Sequence, residues 1–193
     1  MFDLSFLIIS LPILLVTITI HEFAHAKVAD MLGDPTPRLA GRLTLNPISH
    51  IDPIGFLMLI LVRFGWVKPV PINPYNFSDP KRGSLLVSLA GPLSNFLFAW
   101  VLAILYRTLP ISSGVVSQVI SYTIWINLAL AVFNLIPIPP LDGSHILEFF
   151  LPPHQMEFMY RLQQFGFLIL IFILLFGSPI LIAVIEFFYR LLV

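Results

Sequence analysis

The sequence predicts an all-α polytopic membrane protein: about four spanning helices, a short apolar segment that is re-entrant or interfacial, and a small β-element. Three observations predict it. Of 193 residues, 58% are hydrophobic and 10% are charged, whereas a soluble domain carries about 25% charged residues. The mean hydropathy is +0.96. Charge-free runs of about twenty residues recur, the length that a hydrocarbon core of about 30 Å demands of a helix. A soluble globular domain and a disordered chain are both excluded. The length fits a single membrane-embedded domain over residues 1–193, with a core at 4–144 and a kinked C-terminal helix at 165–190.

Residues 4–20 form the first run. Asp3 leads it, no basic residue precedes it, and no small-residue cleavage site follows, so it reads as a retained helix rather than a signal peptide. Seventeen residues give about 26 Å of helix. That is short of a crossing, so the helix is expected to run on through His21 to Met31. Pro12 is a candidate kink. Residues 85–106 and 115–136 carry no charge and are joined by a short loop, which predicts an antiparallel hairpin. A fourth run starts at Phe165 and passes Ile185. Gly177-Ser178-Pro179 interrupts it, so one kinked crossing is expected. Residues 54–62 are apolar but too short to span. Residues 38–46, with partial alternation, and 66–73 both suggest short strands, the second confined to an edge by its prolines.

The net charge is zero and cysteine is absent. With no basic field, nucleic acid is excluded as a partner. With no thiolate, any metal must be held by His, Asp or Glu.

The chemistry starts at His21-Glu22-Phe23-Ala24-His25. Positions i and i+4 share a helix face, so both imidazoles can reach one ion. Glu22 lies about 100° round from His21, near enough to touch a metal-bound water. Two histidine ligands with an intervening glutamate base is the zinc-peptidase arrangement. The bland alternative is a polar helix end facing water, but ionisable groups inside a spanning helix are costly and default to function.

A catalytic zinc usually takes three protein ligands. The candidates are Asp52, Asp142, His50, His145 and His154. Asp142 stands out: it follows Asn134-Leu135-Ile136-Pro137-Ile138-Pro139-Pro140-Leu141 and precedes Gly143, just past a spanning helix. His145 is second. On local sequence alone, Asp142 reads equally as a cap for a helix starting at Ser144. Parity favours the ligand. If 54–62 does not cross, Asp142 returns to the face where the first helix ends. That face then carries Lys27, Arg38, Arg42, Arg63, Lys68, Lys81, Arg82 and Arg161, against Arg107 and Arg190 on the other. The excess places it in the cytoplasm. A transporter is disfavoured, because no ionisable group lies in 85–106 or 115–136.

Three blocks make the chain resemble the site-2 protease family of intramembrane zinc metalloproteases. They are His21-Glu22-Phe23-Ala24-His25, Gly91-Pro92-Leu93-Ser94-Asn95, and Asn134 to Gly143, in family order. The resemblance implies His21, His25 and Asp142 as zinc ligands, Glu22 as general base, and Asn95 and Asn134 as groups lining the site. It also implies one Zn2+ per chain, a membrane-protein substrate with a spanning helix, and a membrane-embedded β-element after the zinc helix. The site would lie toward the cytoplasmic side of the cell membrane. The chain is similar to the short bacterial or archaeal form, without a PDZ or nucleotide-binding regulatory domain. The bland roles are interhelical bonding for the asparagines and close packing for Gly91 and Ser94.

Overall fold

The computed structural model describes residues 4–62, 65–110 and 114–193. Asp3, Arg63 and the centre of the loop after Leu109 lie outside the described residues. The described residues form the α-helices α1 (Leu4–Met31), α2 (Thr36–Leu39), α3 (Pro53–Val62), α4 (Pro80–Thr108), α5 (Val115–Asn134), α6 (Asp142–Phe150), α7 (Met156–Phe176) and α8 (Ser178–Leu192), joined by irregular connections. Four of them, α1, α4, α5 and α7, are long and apolar enough to cross a membrane. Their long apolar runs suit that medium, because in lipid a helix satisfies every backbone group internally. Two compact units divide the chain, Met1–Gly91 and Pro92–Val193.

In the first unit, α1 continues through Pro12 and past His21 and His25 to Met31, as its length requires. Gly33, at φ +102°, turns the chain. Asp34 then gathers the connection: its carboxylate accepts from the Thr36 amide (3.1 Å), the Thr36 hydroxyl, the Asn73 amide (2.7 Å) and the Asn76 side chain (2.7 Å). Burial alone would raise the Asp34 pKa. These bonds outweigh it and hold the carboxyl below its ordinary value. Phe77, Val87 and Ala29 pack together as a small apolar cluster, and only glycine fits at position 83 against the Phe77 ring.

The strand expected over residues 38–46 is not what forms. Pro35 and Pro37 pre-set φ for α2, and Gly41 at φ +68° turns the chain away. Arg42 and His50 then turn inward. Arg42 Nη1 donates to the Ser49 and Lys68 carbonyls, and His50 Nε2 lies 2.9 Å from the Thr44 carbonyl. Alternation was a false signal there, since Arg42 is buried for its hydrogen bonds and not as part of an apolar face. The strand expected over residues 66–73 does not form either: its pairing is limited to an isolated antiparallel bridge between Ile51 and Val67. Pro69 and Pro71 have no amide with which to extend a ladder. Among the described residues there is no strand.

In the second unit, the C-terminal half of α4 packs with α5 and α8 around Ala99, Ala103, Ile124, Leu128 and Ile185. Alanines on α4 let the helices approach closely. The break expected at Gly177-Ser178-Pro179 is present, but the helix before it begins at Met156 and not at Phe165. An Arg161–Glu157 pair at i, i+4 supports the added polar turns.

Candidate metal centre

His21, Glu22 and His25 lie in the second half of α1 and are 5%, 8% and 7% exposed. The i, i+4 spacing brings the two rings edge to face, with Nε2 of His21 3.0 Å from Nε2 of His25. Nδ1 of His25 lies 2.7 Å from the Val87 carbonyl of α4. A carbonyl only accepts, so Nδ1 carries the proton and Nε2 presents its lone pair. A tetrahedral zinc with Zn–N of about 2.0–2.1 Å spaces two nitrogens by about 3.3 Å, close to the gap observed. The pair therefore fits a metal ion. Glu22 is about 60° round the helix from His25.

Gly91 completes this wall. A Cβ there would sit 2.4 Å from His25 Nε2 and 2.5 Å from His21 Cε1. Glycine is what lets α4 pass so close to the edges of both rings.

In the second unit, Asp142 is half-buried and opens α6, two residues before the helix start expected at Ser144. A carboxylate in the first turn is favoured by the helix dipole. Two glycines fix the turn that presents it. A Cβ at Gly143 would sit 2.4 Å from both the Leu135 and Ile136 carbonyls, and one at Gly166 2.1 Å from the Pro139 carbonyl. Asn95 and Asn127 are fully buried, and the Asn95 amide donates to Asn127 Oδ1 at 3.2 Å. Asn127 in turn donates to the Thr123 carbonyl. Asn134 donates to the Leu130 carbonyl one turn back on its own helix.

The other ligand candidates are occupied elsewhere. Asp52 caps α3 through the Ile54 and Gly55 amides at 3.0 and 2.8 Å. His145 is exposed and pairs with Glu148 at 3.0 Å. His154 is exposed and His50 is buried in the Arg42 cluster. Sequence reasoning missed Val87, whose contribution is an anonymous backbone carbonyl, and Asn127, whose only signal was an amide inside an apolar run.

A family model for peptidase family M50 matches residues 108–177. The chain is 41% identical over 175 residues to YwhC of Bacillus subtilis, covering 86% of this chain and 79% of that protein. The chain belongs to peptidase family M50, the site-2 proteases. It is an enzyme of the metalloprotease class. It is also 34% identical over 175 residues to Rip2 of Mycobacterium tuberculosis strain H37Rv (86% of this chain, 66% of that protein). To MJ0392 of Methanocaldococcus jannaschii it is 28% identical over 137 residues (70% and 32%). All three relatives are named as zinc metalloproteases. No solved structure matches the chain.

Proposed function

We propose that this M50 member is an intramembrane zinc metalloendopeptidase. It hydrolyses peptide bonds in or near the spanning helices of membrane-protein substrates. The His21–His25 pair carries the reading: two buried Nε2 atoms 3.0 Å apart, one tautomer fixed by Val87, inside a spanning helix. In this reading Asp142, which opens α6, supplies a carboxylate as the third ligand beside the two imidazoles. Three protein ligands and an open position suit a catalytic zinc, one ion per chain.

When bound, zinc supplies Lewis acidity toward water and a carbonyl oxygen. The chain supplies the rest. Glu22 accepts the proton of the attacking water and passes it to the leaving amine. Val87 and Gly91 hold the imidazole rings in register. Asn95, steadied by Asn127, and Asn134 line the substrate path. The substrate must unwind to expose its scissile carbonyl, because a helix hides each carbonyl in an i→i−4 bond. The excess of basic residues on the loops flanking the site supports a cytoplasmic-side centre in the cell membrane. Residues 1–193 act as a single protease domain in this reading.

The test uses the full chain in lipid vesicles. Glu22→Gln should keep one zinc per chain by elemental analysis, while cleavage of a membrane-helix reporter falls by about 10²–10⁴-fold. Unchanged cleavage removes Glu22 as base. A wild-type protein that binds no zinc removes the metalloprotease reading. Asp142→Ala should lose zinc and His145→Ala should keep it; the reverse would move the third ligand to His145.

A further inference from the structure

We infer that α3 lies flat in the membrane interface as an in-plane anchor, with the face of Ile54, Leu57 and Leu61 resting on the acyl chains of one leaflet. This rests on the membrane location proposed above, but on neither the metal nor the cleavage. The residues of α3 read Pro53-Ile54-Gly55-Phe56-Leu57-Met58-Leu59-Ile60-Leu61-Val62, without a polar side chain. Ten residues give about 15 Å, half a crossing.

Four observations set its posture. First, its two flanks are tied together. Ile51 and Val67 form the antiparallel bridge, and the Lys68 amide donates to the His50 carbonyl at 3.0 Å. The segment therefore leaves and returns at one level. Second, the return is close. A Cβ at Gly55 would sit 2.1 Å from the Trp66 carbonyl, and one at Gly65 2.3 Å from the Gly55 carbonyl. One side of α3 is covered by its own chain. Third, Ile54, Leu57 and Leu61 are 65%, 54% and 58% exposed. Spaced i, i+3, i+7, they form one stripe within about 60° of arc. Fourth, charge brackets the helix at both ends. Asp52 caps its start, and Arg63 follows Val62 directly in the sequence.

The fourth observation decides the posture. A helix driven tip-first into the leaflet would carry Arg63 toward the hydrocarbon centre, at a cost of about 2.5–3.5 kcal/mol on insertion scales. Lying flat, both charged ends stay among headgroups while the stripe sinks about 5–10 Å. Trp66 is half-exposed and Lys68 is exposed at the base of the hairpin, the residue types that favour the headgroup level.

The chain has no cysteine, so Ile54→Cys, Leu57→Cys and Leu61→Cys each carry one environment-sensitive fluorophore. The labelled full chain is reconstituted in phosphatidylcholine vesicles containing doxyl lipid, with the spin label either shallow or deep in the acyl chain. The expected result is quenching at all three sites, about twofold stronger by the shallow label, with weak quenching by aqueous iodide. Deep quenching that grows from Ile54 to Leu61 would overturn the inference in favour of tip-first insertion. Iodide quenching at all three would place the face in water. Absence of quenching by any agent would mean a protein partner covers it. Helix content of the labelled variants by circular dichroism, measured alongside and compared with the unlabelled chain, separates a failed fold from a failed inference. If one variant loses helix, the other two positions still read the posture.

Discussion

The two units are held together by different chemistry. In Met1–Gly91 the organising groups are buried and polar: Asp34 with four donors, Arg42 on two carbonyls, His25 on Val87. In Pro92–Val193 the organising groups are apolar, with Ala99, Ala103, Ile124, Leu128 and Ile185 filling the space between three helices. The difference follows from backbone. Helices in lipid satisfy their own peptide groups, so packing suffices. The irregular stretch between α1 and α4 closes only part of its backbone bonds by itself, and Asp34, Arg42 and His50 take up further amides and carbonyls.

This contrast can be broken in stages. The largest effect is expected from Gly91→Ala. The new methyl displaces both imidazoles, so zinc retained after dialysis should fall by more than about tenfold, with activity following. Full zinc content in that variant would mean that α4 yields at no cost.

Asp34→Ala comes next. It strands the Asn73 amide and the Asn76 side chain together, and should cost about 3 kcal/mol in denaturant unfolding, since bonds to a charged acceptor are worth about 1.5–3 kcal/mol each. The pH dependence has a defined sign. The folded-state pKa of Asp34 is lowered, so its stabilisation is present above the unfolded value near 3.9 and is lost as pH falls through the folded value. Stability of the wild type should therefore drop more steeply below about pH 4 than that of Asp34→Asn. Parallel acid limbs would exclude Asp34 as the source.

Ile185→Ala should cost about 2 kcal/mol, the low end for an aliphatic truncation. Lipid removes most of the hydrophobic drive and leaves lost packing as the main term. A cost above that for Asp34→Ala would invert the comparison. The smallest effect is Asn127→Ala, about 1 kcal/mol, as for other interhelical side-chain bonds in bilayers. Its value lies in the substrate KM. If Asn95 lines the substrate path, KM should rise when its partner is removed, and an unchanged KM with only lower stability would assign the pair to packing.

Much of this was legible in the residues. The run lengths marked α1, α4 and α5 to within a few positions, because a bilayer imposes length and forbids charge. The histidine pair was legible because helical spacing alone puts i and i+4 on one face. The strand at 38–46 was misread: Pro35, Pro37 and Gly41 spoke for turns, and the buried Arg42 mimicked alternation. The start of α7 was missed because the apolar run begins only at Phe165, and the helix reaches back through the charged Glu157 and Arg161 to Met156.

Taken by itself, the order of residues determined a membrane protein with a two-histidine, one-glutamate helix, since hydropathy and helical periodicity are local properties of consecutive residues. Only the tertiary structure decided which carbonyl orients His25, that Gly91 must be glycine, that Asp34 staples one connection, and that α3 is folded back on its own flanks. Each of these is a contact between residues far apart in sequence, where no local period carries the information and only three-dimensional closeness creates the bond.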